Sequence, residues 1–189
     1  MAAGAAVPGL FLVFAAMVLL IFASVSSPTW ERISFLNAST GGSTTHFGVF
    51  GFTGSQTHVG WFFPGNLGDD RINDGLFHNL TQVLILIPVA AGLSGIAVLF
   101  GLCGAAYHRA GTVFMTLISA LAFLVTLVAW VVEMVLFGIA RSHMRDRGID
   151  ATWGNANWLV LGALVALFLG FFAALCGSFG RYGRRRNSY

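Results

Sequence analysis

The sequence predicts an all-α membrane protein: a four-transmembrane-helix bundle with a small extracellular β-sheet in its first loop. Three observations carry that expectation. The chain has 189 residues, 57% hydrophobic and only 9% charged, against about 25% charged in soluble domains. Its mean hydropathy is +0.81. Four apolar runs reach the roughly 20 residues a helix needs to cross a bilayer, and a single substantial polar stretch, 27–79, separates the first run from the second. A single membrane domain over 1–189 accommodates these segments and leaves no room for a second, soluble one.

The first run, 8–25, resembles a signal segment because Ala23-Ser24-Val25 is a tolerable cleavage site. It exceeds the about 7–15 apolar residues of a signal and no basic residue precedes it, so it reads as a retained helix. The remaining spans are expected at 80–107, 112–140 and 157–179, with 27–79 as the ectodomain loop and 180–189 as a cytoplasmic tail.

All ten basic residues are arginine, and counting them nearly ties the two sides of the membrane. Arg109, Arg181, Arg184, Arg185 and Arg186 fall on one side, and Arg32, Arg71, Arg141, Arg145 and Arg147 on the other. Two sequons, Asn37-Ala38-Ser39 and Asn79-Leu80-Thr81, break the tie, as do six of the seven acidic residues, which lie in the two loops of the second side. Both termini are therefore expected in the cytoplasm. Asn37 is the glycosylation candidate, since Asn79 lies close to the membrane. The tail arginines suit anionic lipid, at about 1 kcal/mol each. No basic face with interleaved aromatics exists elsewhere, which argues against nucleic acid as a partner.

Within the first loop, 30–36, 46–52 and 57–63 are short, aromatic and β-branched, and Gly, Ser and Thr clusters separate them. They read as the strands of a small antiparallel sheet. Period-2 alternation places Val59, Trp61 and Phe63 on one face of the third. Such a sheet without a disulfide is marginal alone and is expected to pack on the helices or on a partner.

The fourth span carries Gly162, Ala166, Gly170, Ala174 and Ser178, small residues at every fourth position. Ladders of this kind let helix backbones approach closely in lipid, where apolar burial no longer drives association. The first reading is packing inside the molecule and the second is a partner interface. Ala97, Gly101 and Ala105 form a weaker version in the second span. Glu133 is the one acidic residue inside an apolar run. A charge there costs about 2.5–3.5 kcal/mol, so it must face protein or water. A structural hydrogen bond or snorkelling is the preferred reading, with a proton or ion site as the alternative.

Other features read more simply. Asp69, Asp70, Asn73, Asp74 and Gly75 miss the calcium-loop pattern at Ile72 and Thr81. His46, His58 and His78 show no metal spacing and read as ordinary loop residues that could respond to acidity. Cys103 and Cys176 sit in matching Leu-Cys-Gly triplets at the ends of apolar runs. They are palmitoylation candidates or small buried thiols, and the first loop holds no cysteine for a disulfide. No nucleotide-binding, hydrolase or metal motif is present, so no catalytic residue, cofactor, metal or small-molecule substrate is expected.

Several stretches together resemble the fungal PalI family, whose architecture is claudin-like. They are Phe47-Gly48-Val49-Phe50-Gly51-Phe52 in the first loop and Leu80-Thr81-Gln82-Val83-Leu84-Ile85-Leu86-Ile87-Pro88-Val89-Ala90-Ala91-Gly92-Leu93 at the second span. Glu133 and Gly154-Asn155-Ala156-Asn157-Trp158 continue the pattern. The resemblance implies a non-catalytic protein of the fungal plasma membrane. Such a protein either organises cortical membrane domains or helps an ambient-pH sensor, through contacts with a larger membrane protein or with itself. The ectodomain residues it highlights are Phe47 to Phe52 and Trp61. Two departures stand out. Thr53 and Gln56-Thr57 occupy the place where relatives carry a cysteine pair, and the tail is short where pH-signalling members have a long hydrophilic one. From another class, a small transporter or channel using Glu133 remains the alternative.

Overall fold

Residue size, rather than hydrophobicity, sorts the faces of these helices. The structure, a computed structural model, describes residues 7–64, 75–106 and 109–179, with backbone alone at 75–77, 105–106, 109–110, 112 and 174–179. The acidic cluster 69–74 and the tail arginines lie outside them. Helix α1 spans Val7–Ser24, with Pro8 in its first turn, where a missing N–H removes no helical bond. It turns Gly9, Val13, Ala16, Leu20 and Ala23 inward at alternating steps of four and three, the spacing of one helix face. Phe11, Phe14, Ile21 and Phe22 point outward. The same sorting recurs elsewhere: Ala90, Ala97, Ala122, Ala129, Ala140 and Ala163 are buried, while Leu99, Leu117, Leu121, Leu124 and Val165 are exposed. Small inward residues bring backbones together, and large outward ones meet lipid.

The second span is broken. Helices α2, Gly75–Val83, and α3, Leu86–Ala106, meet at a turn at Leu84 and Ile85, inside the stretch expected as one helix from residue 80. Pro88 supplies the reason, because without an N–H it cannot donate to the Leu84 carbonyl. Ile87 N–H donates there instead at 3.1 Å, and Leu84 and Ile85 donate three residues back, to Thr81 at 3.3 Å and Gln82 at 3.2 Å. These tighter bonds re-satisfy backbone groups that lipid cannot.

Helix α4, Arg109–Asp146, has 38 residues and is about 57 Å long at 1.5 Å per residue. It extends past the expected end at 140, so Arg141 and Arg145 ride on a helical extension rather than a loop. It stops at Gly148, whose φ of 76° suits glycine. Gly148 N–H donates to Arg145 O at 2.9 Å and Ile149 N–H to Met144 O at 3.0 Å. Helix α5, Ala156–Phe179, returns against α1 and α4.

The sheet differs from the one the sequence suggests. Strand β1 is Leu36–Thr40, β2 is Ser43–Phe47, and β3 is Asp150–Trp153, all antiparallel, in the order β2-β1-β3. Thus the third strand comes from the loop between α4 and α5. The expected strands at 30–36 and 57–63 are irregular, apart from Leu36, and only His46 and Phe47 of 46–52 belong to a named strand. Gly41 and Gly42, with φ of 58° and 91°, form the two-residue turn that joins β1 to β2, a Gly-Gly pair matching the twist of a hairpin.

Five hydrogen bonds clasp 32–35 to 154–157. Gly154 N–H and Asn157 Nδ2 both donate to Phe35 O, at 2.9 and 2.8 Å. Ala156 N–H donates to Ser34 O at 3.0 Å, Ser34 N–H to Asn155 Oδ1 at 3.1 Å, and Asn155 Nδ2 to Arg32 O at 2.8 Å. Phe35 then stacks on Phe137 of α4 at 5.5 Å between centroids. A side chain on Gly154 would overlap the Ser34 carbonyl. Gly154→Ala should therefore destabilise the protein by about 1–3 kcal/mol. Gly92→Ala, where a Cβ meets open space, should be neutral or stabilising by up to about 1 kcal/mol. Thermal melts in detergent compare the two.

Candidate interaction site at the sheet end of the bundle

Strand register aligns Asn37 of β1 with His46 of β2 and Thr152 of β3. Ser34 Oγ–H and the His46 Nδ1–H both donate to Asn37 Oδ1, at 2.6 and 2.7 Å. Beside this group opens a cavity of about 530 Å³, bordered by Glu31, Arg32, Asn37, His46, Trp153 and Asn155. Arg141 braces it from behind, with Nε donating to Ala151 O at 3.2 Å and the guanidinium carbon 5.7 Å from the Trp153 ring centre. Of these residues, sequence reasoning singled out Asn37 for modification, His46 as an ordinary loop histidine that could respond to acidity, and Asn155 within the family stretch, without the cavity. Trp153 went unnoticed because a four-residue strand between an arginine-rich helix end and α5 carries almost no periodic signal.

The aromatic motif is docked on the end of α1. Phe47 and Val49 are buried, Phe50 and Phe52 half-buried. Val49 N–H donates to Ser26 Oγ at 3.0 Å, and Ser27 Oγ–H donates to His46 O at 2.9 Å. A Cβ on Gly48 would overlap the Ser27 backbone, and Gly48 N–H reaches Gly51 O at 2.7 Å. Phe47 meets Trp61 and Phe63 at 5.5 and 5.3 Å, and Trp61 meets Phe63 at 4.8 Å. These rings form a packed cluster under the sheet rather than a strand, and Val59, expected beside Trp61 and Phe63, is 50% exposed. Thr81 Oγ1–H donates to Trp61 O at 3.1 Å, joining the cluster to α2.

Two rungs of the small-residue ladder of α5, Gly162 and Gly170, face α1. A Cβ on Gly162 would touch Leu19 at 3.5 Å, and one on Gly170 would press on Val13 at 3.2 Å, Leu12 at 3.3 Å and the Gly9 carbonyl at 3.4 Å. Ala166 packs against the core. The side chains of Ala174, Ser178 and Cys176 lie outside the described residues, whereas Cys103 is an exposed free thiol.

Glu133 is fully buried, and neither carboxyl oxygen has a hydrogen-bond partner among the described residues. It neither snorkels nor makes the structural hydrogen bond expected of it. Arg141, two turns on, is spent on Ala151 and Trp153. Gly111 faces Gly104, and Met115 faces Gly101. Continuing that antiparallel pairing at equal rise brings Glu133 level with the end of α2 and the Leu84–Ile85 break. The buried hydroxyls of Ser94 and Thr126 are engaged within their own helices: Ser94 Oγ–H donates to Ala90 O at 2.8 Å and Thr126 Oγ1–H to Ala122 O at 2.7 Å.

Four helices long and apolar enough to cross a bilayer, with a small sheet fastened across one end, define a multi-pass membrane protein. Among the described residues, no three His, Cys, Asp or Glu side chains gather to hold a metal ion. The SUR7/PalI family model matches residues 5–171, most of the chain. The chain belongs to the SUR7/PalI family. No curated protein matches it.

Gly170→Leu should force α5 away from α1 and lower stability by about 1–3 kcal/mol, while Gly162→Ala should stay within about 0.5 kcal/mol. Glu133→Leu removes unpartnered buried oxygens and should leave stability unchanged or raise it. Unfolding in mixed detergent measures all three.

Proposed function

We propose that this chain is a non-catalytic accessory or organising protein of the fungal plasma membrane, with both termini cytoplasmic and the sheet end outside. It acts through helix and ectodomain contacts with a larger membrane protein or with further copies of itself. One observation carries the reading: beside the two clasped loops, Trp30 and Phe62 of the first loop and Trp158 in the first turn of α5 stand in the open, Trp158 at 69% exposure. Aromatic residues with an apolar body and polar edge suit protein interfaces and membrane boundaries. The position of the sequons and the acidic residues supports the orientation.

A second reading, a helper of an ambient-pH sensor, draws on His78, whose ring stacks on the exposed Phe62 at 4.3 Å and 5°. Charging that histidine would alter the stacked pair directly. Normal growth of a deletion strain at alkaline pH would sink this version. A channel or transporter through Glu133 has less support, because the buried hydroxyls of Ser94 and Thr126 serve their own helices rather than line a polar path. Glu133→Gln that abolished a measurable proton or ion flux would revive it.

Native mass spectrometry from gentle detergent should show an oligomer or a co-purifying membrane protein. A protein that remains a bare monomer contradicts the leading reading. Trp158→Ala should weaken the association at least about tenfold, the scale of an interface anchor, with the melting temperature unchanged.

A further inference from the structure

The cavity beside β1 has the chemistry of a sugar site, and the residue that opens into it lies in a sequon. We propose that Asn37 carries an N-linked glycan whose first N-acetylhexosamine ring lies in this cavity, so that the protein cradles its own sugar. The inference rests on the outward placement of the sheet end proposed above.

The geometry of Asn37 leads to it. Oδ1 is held by both Ser34 and His46, which fixes the plane of the amide and the direction of Nδ2, the atom that bears a glycan. Nδ2 has no hydrogen bond among the described residues and is not one of the buried, unpartnered polar atoms, so it faces open space. Asn37 and Ser39, the two sequon positions read by the transferase, lie on the same face of β1, opposite the buried Leu36 and Ala38. A glycan there displaces no core residue. In the transfer, Nδ2 attacks the anomeric carbon of a lipid-linked oligosaccharyl diphosphate. The N–C bond forms as the bond from that carbon to the diphosphate oxygen breaks. The amide loses one proton and the lipid diphosphate departs.

The cavity fits what would follow. Its volume of about 530 Å³ falls within the about 300–1,000 Å³ of small-molecule sites. Glu31, Arg32 and His46 offer donors and acceptors for the hydroxyls and acetamido group of a pyranose. Strands from both loops build the walls, and a ring seated there would bind them to each other.

The test uses the full chain made in a eukaryotic secretory host. Intact mass should show a glycan that peptide N-glycosidase removes and that Asn37→Gln abolishes. Trimming to the single first sugar leaves only the ring that the cavity holds. In that trimmed protein Arg32→Ala, a change at an exposed position, should lower the melting temperature by about 2–4 °C more than it does in the Asn37→Gln background. Glu31→Ala, at the neighbouring exposed position, should show the same excess. Equal losses in the two backgrounds overturn the cradle. An unmodified Asn37 overturns the proposal outright, even where free N-acetylglucosamine stabilises the protein. Ser43→Cys, at the exposed hairpin turn, separates the causes in intact cells. If an impermeant maleimide labels it while Asn37 is bare, the orientation stands and the cradle fails. If it resists labelling, the orientation fails and takes the cradle with it.

Discussion

The sheet end of this protein depends on a short stretch of backbone, 154–157, lying against another, 32–35. That approach is possible because residue 154 has no side chain, and it is held because Asn155 and Asn157 donate to the Arg32 and Phe35 carbonyls while Asn155 Oδ1 accepts from Ser34 N–H. An unpaired buried carbonyl costs about 1–3 kcal/mol, so the clasp removes a penalty as much as it adds an attraction. Once it is made, β3 can pair with β1, Phe35 reaches Phe137, and α5 starts at a defined height beside α1. The cavity follows from this one apposition.

Much of the architecture was legible in composition alone, since only helices satisfy their backbone within lipid and four runs were long enough to be helices. The sheet was less legible. Aromatic and β-branched residues at 57–63 imitate a strand, yet Trp61 and Phe63 are used as packing against Phe47, which needs no ladder. Conversely the real hairpin, Leu36–Thr40 and Ser43–Phe47, is rich in Ser and Thr, and its clearest mark was the Gly41-Gly42 turn. The strand Asp150–Trp153 is specified by the clasp, a contact across more than a hundred residues, and no local pattern announces it. The helix ends followed the same logic: Gly148 marks where α4 stops, whereas the last apolar residue did not.

At the candidate site, residue types were readable and their surroundings were not. Asn37 stood out as a sequon, but the bonds from Ser34 and His46 that orient it arise from strand register. Glu133 stood out as a costly acid, yet its isolation depends on Arg141 turning to Ala151 and Trp153. The α5 ladder was recognisable by spacing, but which helix it meets was a matter of topology. Small residues inside and large ones outside is the pattern expected where lipid is as apolar as the core, and hydropathy alone cannot express it.

The pairing of β1 with β3 also sets an order of events. Ribosomes deliver β1 and its hairpin early, while the third strand emerges only after the long α4 has been made, and the chain must then turn back to meet a partner synthesised well before. Such distant pairings form slowly, because the intervening loop must close first. Until α5 follows and its first turn closes over residues 34 and 35, the central strand keeps one bare edge, the kind of surface that recruits wrong partners. A finished sheet together with its clasp therefore joins the two ends of the chain's history, a strand made after the first span and one made after the long α4.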